Sequence, residues 1–320
     1  MELAPRFSPV LVTGASGFIG AGLVRRLLAE GLAVHVVLRP EAQLWRLAGV
    51  LDRLTVHHAD LLDAEATSAV IAAVRPAVVL HLAAYGAYES QADGGRILET
   101  TVLAGHRLLA ASVANGVAVF VNAGSSSEYG YKDEPMGEAD RLEPNSVYAV
   151  GKAAMTHLCS LIGRTQEKTA VTTLRLFSVY GPWEEPTRLV PTLLRRTRAG
   201  LPLEMVSPTI ARDYVYLDDV LDAFLALPTL ATFRGEVLNI GSGVQTTLQE
   251  VVETVQDVLG RRTEVRWGAM PPRRWDTSCW QAAPQRALER LGWRARRSLR
   301  EGLALTAVWD EEEERVPHAD

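Results

Sequence analysis

The sequence predicts an α/β protein built on a doubly wound parallel sheet, with a smaller, mixed C-terminal region. Three observations carry that expectation. Short apolar runs alternate with helically periodic ones over the first half of the chain. Those apolar runs show no polar alternation, so both faces of each strand are covered, as in parallel sheets flanked by helices. A glycine-rich turn, Gly14-Ala15-Ser16-Gly17-Phe18-Ile19-Gly20, joins the first apolar run to the first periodic one.

The elements follow in order. Val10–Thr13 reads as a strand, then a helix runs from Gly17 to about Glu30. Strands are expected at 33–38, 55–58, 78–81, 117–121 and 171–176, with helices at 64–74 and 97–114 between them. After Tyr180-Gly181-Pro182 the rhythm is lost, because prolines at 182, 186, 191, 202 and 208 interrupt it. Helices near 189–198 and 217–227, a strand at 237–240 and an amphipathic helix at 247–259 complete the reading. The division expected is a dinucleotide-binding domain at 1–182, with segments of about 213–242 returning to it, and a substrate-binding region at 183–320. The acidic run 311–314 reads as a frayed, solvated tail.

Composition bounds the function. With 320 residues, 48% hydrophobic and 22% charged, the chain can bury a sizeable core. A formal net charge of −5 argues against nucleic acid as the partner. The arginines at 286, 290, 294, 296, 297 and 300 read as a salt-bridged surface rather than a phosphate site. Two cysteines, Cys159 and Cys279, and seven scattered histidines form no metal-ligand spacing, and they suit a reducing compartment. No run approaches the ~18 apolar residues of a membrane span, and the N-terminus lacks a secretion-signal pattern. A cytoplasmic enzyme is the default expectation.

The glycine turn is suited to a dinucleotide. A helix N-terminus offers unpaired N–H groups and a positive dipole end to a pyrophosphate. Gly14 permits the tight turn, Gly17 the approach of backbone to phosphate, and Gly20 the packing of helix on strand, so the domain is expected to be of Rossmann type. The second strand ends Leu38-Arg39-Pro40, without the acid that usually meets an unphosphorylated ribose. Arg39 can pair with a 2′-phosphate, which favours NADP(H). Glu41 could instead serve the ribose hydroxyls, which leaves NAD(H) possible. Asp60, closing the third strand, is placed to contact the adenine.

Tyr148 and Lys152 stand four apart on a helical segment and therefore share a face. An ammonium near a phenol favours the phenolate, which turns a weak acid into a usable proton shuttle. The fifth strand runs into Asn122-Ala123-Gly124-Ser125-Ser126-Ser127-Glu128-Tyr129-Gly130, at the sheet edge where ligands bind.

These motifs, with His81-Leu82-Ala83-Ala84, Arg212-Asp213-Tyr214-Val215-Tyr216-Leu217-Asp218-Asp219-Val220, Asn239-Ile240-Gly241-Ser242-Gly243 and Leu291-Gly292-Trp293, cover nearly the whole chain. Together they resemble an extended short-chain dehydrogenase/reductase, and more narrowly the nucleotide-sugar epimerase/dehydratase group. The resemblance implies a Ser-Tyr-Lys site acting on a sugar linked to a nucleoside diphosphate. Ser125 takes the catalytic hydroxyl position, with Ser126 the alternative. Tyr148 exchanges the proton, and Lys152 holds the ribose and depresses the Tyr148 pKa. Ser16, Phe18, Ile19, Leu61, Leu82, Ala83 and Ala84 join the cofactor contacts, and Tyr85, Ser127, Tyr180, Arg188, Arg212 and Arg273 the substrate contacts. In relatives the Tyr-Lys helix and the one before it pair in a homodimer.

Two departures bear on the reaction. Thr100-Thr101-Val102 stands where the group often has Asn before Val, so a proton relay there is altered or supplied by Thr101. Ser126 and Ser127 fill the interval where dehydratases carry an acidic pair, although Glu128 could take that place under a one-residue shift. With Arg39, this tilts the expectation to an NADP-dependent ketoreductase of an NDP-4-keto-6-deoxyhexose. A redox-neutral 4-epimerase, a 4,6-dehydratase or decarboxylase, and a non-catalytic cofactor sensor are the alternatives.

Overall fold

The computed structural model describes residues 3–87, 90–272 and 277–315. Its strands, in chain order, are β1 Val10–Thr13, β2 Val34–Leu38, β3 Thr55–His58, β4 Val78–His81, β5 Val119–Ser125 and β6 Ala170–Leu176. There follow β7 Ser178–Tyr180, β8 Leu203–Met205, β9 Ala211–Tyr216, β10 Arg234–Ile240, β11 Gln245–Thr247 and β12 Val265–Trp267. Seven of them form one parallel sheet in the order β10-β6-β5-β4-β1-β2-β3. The order reverses between β1 and β4, where Thr13 lies level with His81. Such a switch point opens a crevice at the carboxyl ends of the strands.

Both faces of the central strands are buried, as their apolar runs predicted, while the edge strand β3 is partly exposed. Val10, Val12, Val36, Leu80, Val121 and Leu174 pack on one side. Leu11, Val37, Val79, Phe120 and Val171 pack on the other, under Ile71, Leu108 and Leu109. Helix Ala64–Val74 starts where it was expected because the Asp63 carboxylate accepts from the N–H groups of Glu65 and Ala66. Helix Leu217–Leu225 lies against helix Phe18–Ala29, and β10 adds the seventh strand beside β6. A third apolar cluster, built from Val190, Leu194, Leu203, Tyr216, Val251, Val255 and Leu303, holds the C-terminal region. The sheets β11-β9-β7 and β12-β8 belong to that region.

Three departures from the expectation have a local physical reason. Strand β5 continues past Val121 to Ser125, because its polar end pairs with β6 and the Asn122 amide donates to Thr173 Oγ1 at 3.3 Å. The helix expected at 97–114 is two α-helical pieces, Gly94–Leu98 and Gly105–Ala114, joined by a π-helical stretch at Glu99–Ala104. The acidic run at 311–314 is not a frayed tail. It ends the helix Leu299–Arg315, which Leu303 and Ala307 anchor in the third cluster and Ser298 and Glu301 cap. The basic cluster is indeed salt-bridged, with Arg290 on Glu236, Arg297 on Asp219 and Arg300 on Asp257. Among the described residues, no helix is long and apolar enough to cross a membrane.

Candidate active site

The glycine turn sits at the switch point, and its two outer glycines have no substitute. Gly14 has φ +72°, and a Cβ there would lie 2.6 Å from the backbone of Leu82 and Ala83. A Cβ on Gly20 would fall 2.1 Å from the Gly14 carbonyl, where helix Phe18–Ala29 crosses β1. Gly17 is the N-cap of that helix and supplies no side-chain bond, so the first-turn N–H groups keep their donor capacity. Ser16, Phe18 and Ile19 line the same turn half-buried. Leu82 and Ala83 close it from the β4 side, their N–H groups directed to Thr13, and Ala84 follows exposed. This bare, tightly walled cradle fits a dinucleotide pyrophosphate. Asp60, expected to close the third strand, lies two residues beyond the end of β3 at His58 and accepts from the Leu62 N–H. Arg39, at the end of β2, pairs with Glu41 at 3.3 Å on the exposed edge.

Tyr148 and Lys152 share one face of the helix Val147–Thr165, which Ser146 caps by accepting from the Ala149 N–H. The Tyr148 ring lies beside Gly86, whose Cβ would meet its Cδ2 at 3.3 Å. Lys152 Nζ stands 5.8 Å from the centre of that ring and donates to the Ala123 carbonyl of β5 at 2.8 Å. Burial lowers Lys152 to about 8, against the opposing pull of the Glu128 carboxylate. His81, buried beside it, is pushed down to about 3 by burial and by the Lys152 charge, and is therefore a neutral partner of the Thr13 hydroxyl. Behind this helix, the hydroxyl of Thr101 is buried in the π-helical stretch with no partner among the described residues.

The depressed Lys152 has a consequence for stability. Its folded pKa lies below the unfolded value, so between about pH 8 and 10.5 this side chain binds fewer protons in the folded state, and its own contribution to stability rises with pH across that window. Below pH 8 the buried charge costs about 3 kcal/mol, offset by about 1 kcal/mol from the Ala123 bond. Lys152→Met is therefore expected to melt no lower than wild type at pH 7, and to lose that advantage by pH 10. Melting curves at the two pH values check this. A variant that melts well below wild type at pH 7 would contradict it.

The serine-rich strand end resolves into separate roles. Ser125 and Ser127 bring their hydroxyls to 2.7 Å of each other, two residues beyond the carbonyl that holds Lys152. Ser126 is turned away from them, buried, with its Oγ accepting from the Trp280 indole at 3.0 Å. Ser125 therefore lies on the strand end whose Ala123 carbonyl holds Lys152, while the Ser126 hydroxyl is committed to Trp280. Glu128 is fully buried and committed. It pairs with Arg175 at 2.8 Å and accepts from the Thr156 hydroxyl and the Ser125 N–H. Arg175 also reaches the Tyr129 hydroxyl, which donates to Asn239. The shift that would offer Glu128 as an elimination base is corrected accordingly, since both oxygens are held by the fold. A signal for this was present, because Ser125-x-x-Glu128 has the spacing of a capping box.

Of the expected substrate contacts, Tyr85 follows β4 next to Gly86, with the Arg96 guanidinium 5.0 Å from its ring centre. Arg212, at the start of β9, lies 5.0 Å from the centre of the Trp280 ring. Through that indole it adjoins Ser126 and hence the active strand end. Tyr180 is corrected. It is buried in the third cluster, edge-on to Tyr214 and Tyr216, and its hydroxyl is spent on the Leu299 carbonyl. Arg188 caps the helix Leu189–Ala199 on the exposed surface. Arg273 lies outside the described residues. Trp280 was missed, since no local pattern marks it. The neighbouring Asp213 is a brace, accepting from the N–H groups of Ser242, Gly243 and Ala282.

Comparison with known proteins agrees with this geometry. The family model described as the NAD dependent epimerase/dehydratase family matches residues 10–241. The chain is 32% identical over 306 residues to a UDP-glucose 4-epimerase of Mycolicibacterium smegmatis, covering 92% of this chain and 96% of that one. It is 30% identical over 319 residues to a dTDP-glucose 4,6-dehydratase of Streptomyces antibioticus, with 94% and 91% covered. The solved structure of MoeE5 in complex with UDP-glucose and NAD superposes with a TM-score of 0.81 at 34% identity, covering 95% and 99%.

Proposed function

The chain belongs to the NAD dependent epimerase/dehydratase family, and from that membership we propose that it is a redox-neutral 4-epimerase of a nucleoside-diphosphate hexose, with a UDP-sugar as substrate and NAD as cofactor. One observation carries this reading over elimination. The acid of the strand end, Glu128, is locked against Arg175, and Ser126 and Ser127 stand where an acidic pair would be needed.

Gly14, Gly17 and Gly20 would hold the pyrophosphate, with Asp60 and Leu61 toward the adenine and Lys152 at the nicotinamide ribose. When bound, the nicotinamide supplies a place for the C4 hydride to go and to return from. Tyr148, as phenolate, removes the proton of the C4 hydroxyl and later gives it back to the same oxygen after the sugar has turned its other face. Ser125 steadies that oxygen with its hydroxyl. Arg212 would meet the substrate phosphates, where a guanidinium binds two oxygens at once. The exposed Val147, Val150 and Leu161 of the Tyr148 helix, with Leu103 of the π-helical stretch, support a homodimer, and a cytoplasmic location and the division at residue 182 stand as parts of the same reading.

The second reading, an NADP-dependent 4-ketoreductase, rests on Arg39. That side chain is already neutralised by Glu41, whose carboxylate would repel a 2′-phosphate and can accept from ribose hydroxyls. NAD is therefore expected to bind at least about tenfold tighter than NADP, with Glu41→Ala narrowing the gap. Calorimetric titration of both dinucleotides decides it, and tighter NADP binding moves the reading to net reduction. The function itself is tested by incubating the protein with UDP-glucose and NAD. The C4 epimer should form without net NADH, whereas a 4-keto-6-deoxy product would mark a dehydratase.

A further inference from the structure

A cavity of about 390 Å³ opens between the loop after β2, the segment 181–186, and the helices Leu189–Ala199 and Leu299–Arg315. Trp45, 39% exposed, stands at its mouth, and Trp309, Pro191 and Leu194 line it with apolar surface. None of its lining residues takes part in the site described above. That volume suits a small ligand, and such sites pair apolar walls with a few placed polar groups.

The polar group here is Glu184. Its neighbour Glu185 is ion-paired with Arg46 at 2.8 Å. Glu184 Oε2, in contrast, is buried with no hydrogen-bond partner among the described residues. A buried polar atom left unmatched costs about 1–3 kcal/mol and calls for an explanation. The charges around it are already matched. On the helix Leu189–Ala199, Arg195 donates to the carbonyls of Pro186 and Pro191. On the helix Leu299–Arg315, Asp310 is paired with Arg198. Arg188, on Glu184's own segment, faces the carboxyl.

We propose that this cavity is a second ligand site, taking a neutral, ring-bearing primary carboxamide whose ring lies against the indoles and whose amide pairs with the Glu184 carboxyl. Burial pushes Glu184 up to about 8, against the pull of Arg188 and of a hydrogen bond from the Gly181 backbone, so the group is mostly protonated at neutral pH. A protonated carboxyl carries one donor and one acceptor, which matches the acceptor and donor of a primary amide. A cation would require the acid to ionise in a place that disfavours it. An anion would gain no counter-charge from an un-ionised acid, and the Arg195 guanidinium on the cavity wall is already spent on the Pro186 and Pro191 carbonyls.

The test uses benzamide, benzylammonium and benzoate as probes, titrated calorimetrically into the whole protein at pH 6.5 and pH 9. Benzamide should bind, at about millimolar strength for a fragment of this size, and about tenfold more weakly at pH 9, where Glu184 has lost its proton. Glu184→Gln keeps a donor and an acceptor, so it should bind benzamide equally at both pH values. Glu184→Leu should not bind it, and turnover of the sugar nucleotide should be unchanged in both variants. The pH comparison on wild type stands even if a variant fails to fold. No benzamide binding, equal wild-type affinity at the two pH values, or preference for benzylammonium or benzoate would overturn the proposal.

Discussion

Replacing Tyr148 by Phe is expected to cut turnover by about 10²-fold or more while leaving cofactor affinity within about twofold. The phenol oxygen is the proposed proton carrier, and removing it leaves the ring's place beside Gly86 filled. The helix stays capped by Ser146, and Lys152 keeps its bond to Ala123. Loss of rate with unchanged folding and binding is therefore a chemical loss. Steady-state rates and cofactor titration on the purified variant measure it. A variant with near-normal rate would remove Tyr148 from the mechanism, and a wild type with no rate to lose would fit a cofactor sensor instead.

The second large effect is on stability rather than rate. Glu128→Gln should lower the melting temperature by on the order of 10 °C, because breaking a buried pair costs about 3–5 kcal/mol. The neutral amide would leave the Arg175 guanidinium, 4% exposed, without its counter-charge. Space is tight as well, since a Cβ on Gly124 would come within 2.8 Å of Glu128 Oε1 and 2.7 Å of the Thr173 methyl. Turnover per folded molecule should fall far less than in Tyr148→Phe. If the variant instead melted like wild type and lost its activity outright, Glu128 would be a catalytic acid or base, and the argument against elimination would fail.

Much of the sheet was legible because its signal is local. Short apolar runs mark β1 and β4 with the observed bounds, and the glycine spacing locates the crevice they frame. The helical spacing of Tyr148 and Lys152 likewise needs only one turn of chain. What could not be read depends on distant chain segments. Trp280 meets Ser126 across 154 residues, and no periodicity encodes that contact. Tyr180 was placed among the substrate contacts by the family resemblance, whereas the third cluster claims its ring and Leu299 its hydroxyl. Glu128 lay between the two cases. Its capping box is local, but the partner that fixes its role, Arg175, lies on the neighbouring strand. The C-terminal helix was hidden by its acidic end, since surface charge is a poor guide where the buried face does the anchoring.

In the proposed epimerase, hydride leaves and returns to the same sugar carbon within one visit to the site. An equimolar mixture of UDP-glucose deuterated at C4 and UDP-glucose uniformly labelled with ¹³C tests it, with the C4-epimeric product read by mass spectrometry. Deuterium should remain wholly in the ¹²C product, with none washed into solvent and no NADH released. Deuterium crossing into the ¹³C product, or stoichiometric oxidation of NADPH in place of epimer formation, would contradict the account.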